Sequence, residues 1–168
     1  MSGLTGRVVV AAHSSDGKAR FVSDDHVPPT DLAAGGVTAR LLWGRDEAPN
    51  FPDNGRAQAQ ALMPPPGGLR LSTLTIPSGA NGPYHDFIAK NLGAFAEPEA
   101  PGFHRTPSLD VIVVIEGEIV LELDAGDRQT LGRGDTAILN GVRHRWSNNH
   151  RTDATLLAVV IGAQDRRS

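Results

Sequence analysis

The chain has 168 residues, a length that suits one domain with a sizeable core. Apolar residues make up 39% and charged residues 21%, with 19 Gly and 12 Pro and no period, which excludes collagen-like and low-complexity chains and suits a turn-rich globular protein. A formal charge of −3 offers no positive field for a phosphate backbone, so nucleic acid is not expected as a partner, and with no cysteine any metal must be held by His, carboxylate or amide oxygen.

From residue 1 to 66, short β-like runs (7–12, 20–22 and 37–43) alternate with turn-rich stretches such as 14–17 and 48–55. This part is expected to be an N-terminal extension of strands and loops packing on a barrel formed by 67–168, in one compact domain. Three successive prolines, Pro64 to Pro66, followed by Gly67 and Gly68, remove amide donors and fix φ, so 63–68 is predicted to be a loop. Residues 71–76 read as a strand. The stretch 77–102 reads as a long irregular segment with a helical turn or two around 86–95, the kind of segment that serves as a lid or binding loop. Strands then recur at short spacing: 110–115, 119–123, 128–131, 136–139, 142–146 and 155–161, separated by Gly and Asp turns. The turns at Glu116-Gly117-Glu118 and at 124–127 predict two hairpins, and a period of two puts Ile119, Leu121 and Leu123 on a buried face. With no convincing amphipathic helix, the pattern argues for an all-β sandwich, jelly roll or small barrel. The longest apolar runs, 111–115 and 156–161, fall far below the roughly 18 residues of a membrane span. The run 8–12 is likewise shorter than the roughly 7–15 apolar residues of a signal-peptide core. No membrane partner is expected, and the cytoplasm is the expected compartment.

Of six histidines, His13 and His26 carry no partner signal, and His150 is expected to be solvated. Counting back by twos from Asp110 reaches Thr106 and His104, so a continuous strand would project all three to one face, with Pro107 a point where it could bend. On a later strand His144 shares a face with Val142 and Trp146, while Arg143 and Arg145 point the other way. If these strands face one another, two imidazoles and a carboxylate converge, a set that holds a divalent transition metal with about three positions left open. The same spacing also allows a purely structural role, with His104 capping a strand, Asp110 capping a turn and His144 packed in the core. Thr106 and Trp146 are candidates for the pocket wall, and Trp146 also suits plain core. Tyr84, His85, Phe87, Phe95 and Phe103 precede the first of these strands. They could form a lid, with Tyr84 and Phe103 against the substrate and His85 as acid or base, or a surface loop packed by its aromatics. Asn148 is expected to satisfy turn amides, and Glu116 and Glu118 to face solvent. No phosphate loop, serine nucleophile elbow or zinc-protease helix motif is present in the sequence.

Residues 102–148 resemble the paired motifs of the cupin superfamily of double-stranded β-helix (jelly-roll) barrels. His104 takes the place of the first motif's first histidine, Thr106 stands where the second histidine is usual, Asp110 replaces the usual Glu, and Gly117 follows after six residues. Gly141, His144 and Asn148 match the end of the second motif, and Gly134-Asp135 its opening turn, while Asn140-Gly141 stands where a proline is usual and the segment is one residue short. The resemblance implies a metal held by His104, Asp110 and His144, with Fe(II) the first expectation and Mn, Ni, Co, Cu or Zn also compatible with such ligands. Small stand-alone cupins with a His-Arg-Thr first motif and a Gly-x-x-His-x-Trp second motif are the nearest in pattern, and several accompany pathways for aromatic or polyketide compounds. It therefore implies an oxygenase or a non-oxidative lyase or decarboxylase acting on a small organic substrate, and a homodimer. A non-catalytic module that binds or senses a small ligand is the alternative, motivated by Thr106 and the altered second motif.

Overall fold

The computed structural model of the chain describes residues 4–31, 36–59, 61–79 and 81–166. Parts of the predicted extension (1–3, 32–35 and 60), Ala80 of the predicted irregular segment, and 167–168 lie outside the described residues. Strands β1 (Arg7–His13) and β2 (Ala19–His26) pair antiparallel as a two-stranded sheet. A six-stranded sheet contains β3 (Thr30–Asp31), β4 (Thr38–Arg45), β5 (Leu69–Ile76), β6 (Ser108–Glu116), β9 (Thr136–Asn140) and β11 (Ala154–Gly162), in the order β3-β4-β5-β11-β6-β9. A three-stranded sheet contains β7 (Glu118–Leu123), β8 (Arg128–Gly132) and β10 (His144–Ser147), in the order β10-β7-β8. Ile112, Val114 and Leu156 of the large sheet meet Ile119, Leu121 and Trp146 of the small one in a single buried core. The chain is an all-β jelly roll, one of the architectures its strand spacing allows and the one the resemblance implies.

The first predicted hairpin does not form. Strands β6 and β7 are joined by Gly117 alone, yet β6 pairs with β11 and β9 while β7 pairs with β10 and β8. Gly117 makes the corner between the sheets: its φ is 77°, and a Cβ there would stand 2.2 Å from the carbonyl oxygen of Asp153. The second hairpin, β7 to β8, forms as expected. Strand β4 runs along β5 from Thr38 opposite Thr75 to Arg45 opposite Leu69, so residues 38–45 of the predicted extension belong to the same sheet as the later strands. Residues 63–68 form the expected loop, with Gly68 N–H donating to the Pro65 carbonyl at 2.8 Å.

The stretch expected to be irregular contains a full helix, α1 (Asn81–Asn91). Tyr84, Phe87, Ile88 and, just past its end, Leu92 fall at i, i+3, i+4 and i+8, one apolar stripe, and all four are buried. Each such burial contributes about 1.5–3 kcal/mol, enough to outweigh the poor helix propensity of Gly82 and Pro83 at the start. The Asn91 side chain closes the helix by donating to the Phe87 carbonyl at 2.9 Å.

Candidate functional site

Alternation along β6 turns Ser108, Asp110, Ile112 and Val114 inward, and the same alternation continues back through Thr106 and His104, all buried. Pro107 does bend the chain, into a tight turn in which Ser108 N–H donates to the Thr106 carbonyl at 2.9 Å, but the predicted common face survives. On β10, His144 and Trp146 are buried and Arg143 and Arg145 lie on the other side, as expected; Val142, ahead of the strand, is 40% exposed. The main chains of His104 and His144 pair antiparallel, each N–H donating to the other's carbonyl at 3.0 and 3.1 Å, and the two imidazole rings lie 4.4 Å apart.

Both rings are tied in the same way. His104 Nδ1 meets the Gly102 carbonyl at 3.1 Å and His144 Nδ1 the Val142 carbonyl at 2.9 Å. A carbonyl only accepts, so each Nδ1 carries the proton and each Nε2 keeps its lone pair. Burial lowers the pKa of both imidazoles: His144 falls to about 4, with the charge of His104 adding to the effect. His104 also falls, partly opposed by its bond to Gly102 and by Glu97. Both are neutral at physiological pH. Asp110 is 8% exposed, and its Oδ1 has no hydrogen-bond partner among the described residues. Burial pushes its pKa above the usual carboxylate value against a bond from Ser108.

These groups share a cavity of about 110 Å³. Its polar lining includes His104, His144, Asp110 and Thr106, and also Arg70, Ser72 and Thr73; much of the rest of its wall is apolar, supplied by Phe87, Ile88, Leu92, Ile112, Leu156 and Val160 among others, with Tyr84 and Trp146. The volume is below the roughly 300–1,000 Å³ of sites for drug-sized ligands, so a small molecule or one end of a larger one fits.

Two predicted site residues are not in this cavity. His85 is on the outward side of α1, in a separate depression with Glu122 and Arg145, and its ring packs so closely on Gly102 that a Cβ there would be 2.3 Å from His85 Cδ2. Phe103 is buried with its ring under Arg143 and Arg145, because it alternates with the inward-facing His104. Asn148 does what the sequence suggests: its amide donates to the Ile76 and Thr152 carbonyls and its oxygen accepts from His150 N–H. Sequence reasoning passed over Arg70, which is 1% exposed and borders the cavity. Its guanidinium is committed to the carbonyls of Ala61, Arg45 and Leu69 and to Asp46 at 2.5 Å, so it anchors the loop beside the cavity. A lone arginine between Leu69 and Leu71 in an apolar strand was the signal for it.

The donor chemistry fits a divalent transition metal: two neutral imidazoles with fixed tautomers and one buried carboxylate oxygen lacking a partner, all on one cavity. Among the described residues, however, no three His, Asp or Glu side chains are grouped so as to hold an ion, so the closely placed part of the set is the imidazole pair.

Residues 94–160 match a family model described as a cupin domain. The chain is 40% identical over 65 residues to the oryzines biosynthesis cluster protein J of Aspergillus oryzae, covering 38% of this chain and 36% of that protein. It is 26% identical over 140 residues to a cupin-domain-containing oxidoreductase of Neurospora crassa, covering 83% of this chain and 64% of that protein. The chain thus spans less than two thirds of the length of these relatives. Among solved structures it is similar to an RmlC-like cupin from Shewanella frigidimarina, with a TM-score of 0.48 and 17% identity over 84% of this chain and 89% of that one.

Proposed function

Residues 94–160 are a cupin domain, which places this chain in the cupin superfamily, and from that premise we propose that it is a metal-dependent enzyme acting on a small, largely apolar organic molecule that carries an oxygen function. The observation that carries this reading is the imidazole pair, 4.4 Å between rings, each Nδ1 held by a carbonyl, lining a cavity whose wall is largely apolar. His104 and His144 would hold the metal, with Asp110 the third candidate ligand and Fe(II) the first choice. When bound, a metal of this kind supplies Lewis acidity toward a carbonyl, enol or phenol oxygen or a meeting point for dioxygen and substrate, the chemistry of an oxygenase or a non-oxidative lyase. The naming of relatives as oxidoreductases supports the oxygenase side. The chain's own residues do the rest. The apolar wall binds and desolvates the body of the substrate, the Tyr84 hydroxyl is a donor for its oxygen, Thr106 lines the cavity with its hydroxyl bonded to Ser108 at 2.8 Å, and Trp146 fixes one side of the substrate. Tyr84 suits a donor, because burial raises its pKa well above the ordinary phenol value and keeps the proton in place.

A second reading, a binding module without catalysis, is favoured by two observations: Thr106 stands where another imidazole would complete the set, and no three-residue ligand group forms among the described residues. Metal analysis of the chain purified without chelator decides between them. The enzyme reading predicts close to one metal per chain, lost in His104→Ala and His144→Ala together with turnover. A chain that takes no metal yet binds small apolar ligands contradicts it and leaves the binding module.

A further inference from the structure

The two segments that carry the imidazoles are joined at a single residue pair. His104 and His144 form an isolated bridge; among the described residues β10 is otherwise paired only with β7, and β6 does not begin until Ser108. One reciprocal pair of main-chain bonds is a weak determinant of register, and a slip by one residue would turn every side chain of the segment to the opposite face. The reinforcement lies on the outer side of the same pair. Because side chains alternate, Phe103 points away where His104 points in, and Arg143 and Arg145 point away where His144 points in. There the Arg143 guanidinium lies 4.1 Å and the Arg145 guanidinium 4.7 Å from the centre of the Phe103 ring.

Both arginines are themselves held. Arg143 donates Nε and Nη2 to the Glu97 carboxylate at 2.6–2.8 Å and Nη1 to Asp124 at 2.7 Å. Arg145 reaches Glu122 Oε2 through Nε at 2.9 Å and Nη2 at 2.8 Å. Glu97 follows Ala96, which bridges to His104 from the other side, so the carboxylate that fixes Arg143 comes from the strand-like segment flanking the same histidine. We propose that Phe103, held under Arg143 and Arg145, is the positioning residue of the imidazole pair: its ring locks the register that sets His104 against His144. A one-residue slip would turn Phe103 toward the cavity and strip both arginines of the ring. The device deepens the metal reading, on which its second measurement below rests, but the first measurement does not need a metal.

Two substitutions separate positioning from packing. Phe103→Leu keeps an apolar side chain and removes the ring face, whereas Phe103→Tyr keeps the face. In the metal-free chain, proton NMR contacts between the two imidazole rings are expected in the parent and in Phe103→Tyr and are expected to be lost in Phe103→Leu. With Cu(II) as the probe, the parent and Phe103→Tyr are expected to show electron-spin splitting from two imidazole nitrogens, and Phe103→Leu to bind about tenfold more weakly with one. Should Phe103→Leu not fold, the double variant Arg143→Gln/Arg145→Gln, which keeps the ring and removes both cations, is read in the same way. Unchanged ring contacts in a folded variant overturn the proposal. A parent chain that shows the contacts but takes no Cu(II) at the pair overturns the metal reading instead, and the NMR result alone then decides the positioning role.

Discussion

The buried imidazoles give the metal-free chain a defined response to acid. An imidazole with a depressed folded pKa contributes its full stability above the unfolded value near 6.5, and that stability is lost as pH falls toward the folded value. For His144, which falls to about 4, the loss across that window is about 3 kcal/mol. His104 adds in the same direction. Asp110 works the other way, since its raised pKa makes the protonated form the easier one to bury, and it offsets part of the loss at the acid end. Urea unfolding of the metal-free chain at pH 7 and pH 5 is therefore expected to show lower stability at pH 5, with a smaller difference in His144→Gln. An equal difference in that variant would show that His144 is not held neutral by burial. At this scale much was legible. Period-two counting from Asp110 brought His104, Thr106 and Asp110 to one buried face, and the spacing around His144 separated it from its two arginines. The same counting was not extended to Phe103, one residue from His104, which by alternation had to face out.

At the scale of elements, the segment ahead of β6 shows how a local backbone decision reaches the site. Gly102 has a φ of 82°, its carbonyl accepts from His104 Nδ1, and the His85 ring of α1 covers the side where a Cβ would be. The aromatic stretch before the first motif is thus a brace and a wall, with His85 supporting a peptide bond and Tyr84 lining the cavity. Gly102→Ala is expected to destabilise the fold by about 1–2 kcal/mol for the left-handed backbone alone, before the contact with His85 is added. It is also expected to weaken metal binding about tenfold, measured by titration calorimetry, because the carbonyl that orients His104 must shift. Wild-type affinity in that variant would separate the Gly102 carbonyl from the site. Helix α1 reads from sequence as only a turn or two around 86–95, for a physical reason. Gly82 and Pro83 have poor helix propensity, yet they fall in its first turn, where proline costs little, and the stripe of Tyr84, Phe87, Ile88 and Leu92 supplies the burial that stabilises it.

At the scale of the whole molecule, strand positions were readable and their partners were not. Glu116-Gly117-Glu118 looks like a hairpin turn because local sequence records only the reversal. What sends β7 to another sheet is competition for β6 by β11 and β9, whose residues lie far along the chain. The cavity was out of reach for the same cause: Arg70 of β5, Phe87 of α1 and Val160 of β11 line one space although nothing in their local sequence links them. The family match covers the stretch that carries the imidazoles and part of the wall, such as Ile112 and Val160, while Ala39, Arg70 and Phe87 of the wall lie outside it.

Extended X-ray absorption of the chain loaded with zinc, a redox-silent stand-in for the proposed ion, reads the ligands themselves. Two imidazole nitrogens at about 2.0–2.1 Å are predicted, falling to one in His104→Ala and in His144→Ala. A spectrum without imidazole scattering, or one unchanged when both histidines are replaced, would contradict a metal centre built on this pair.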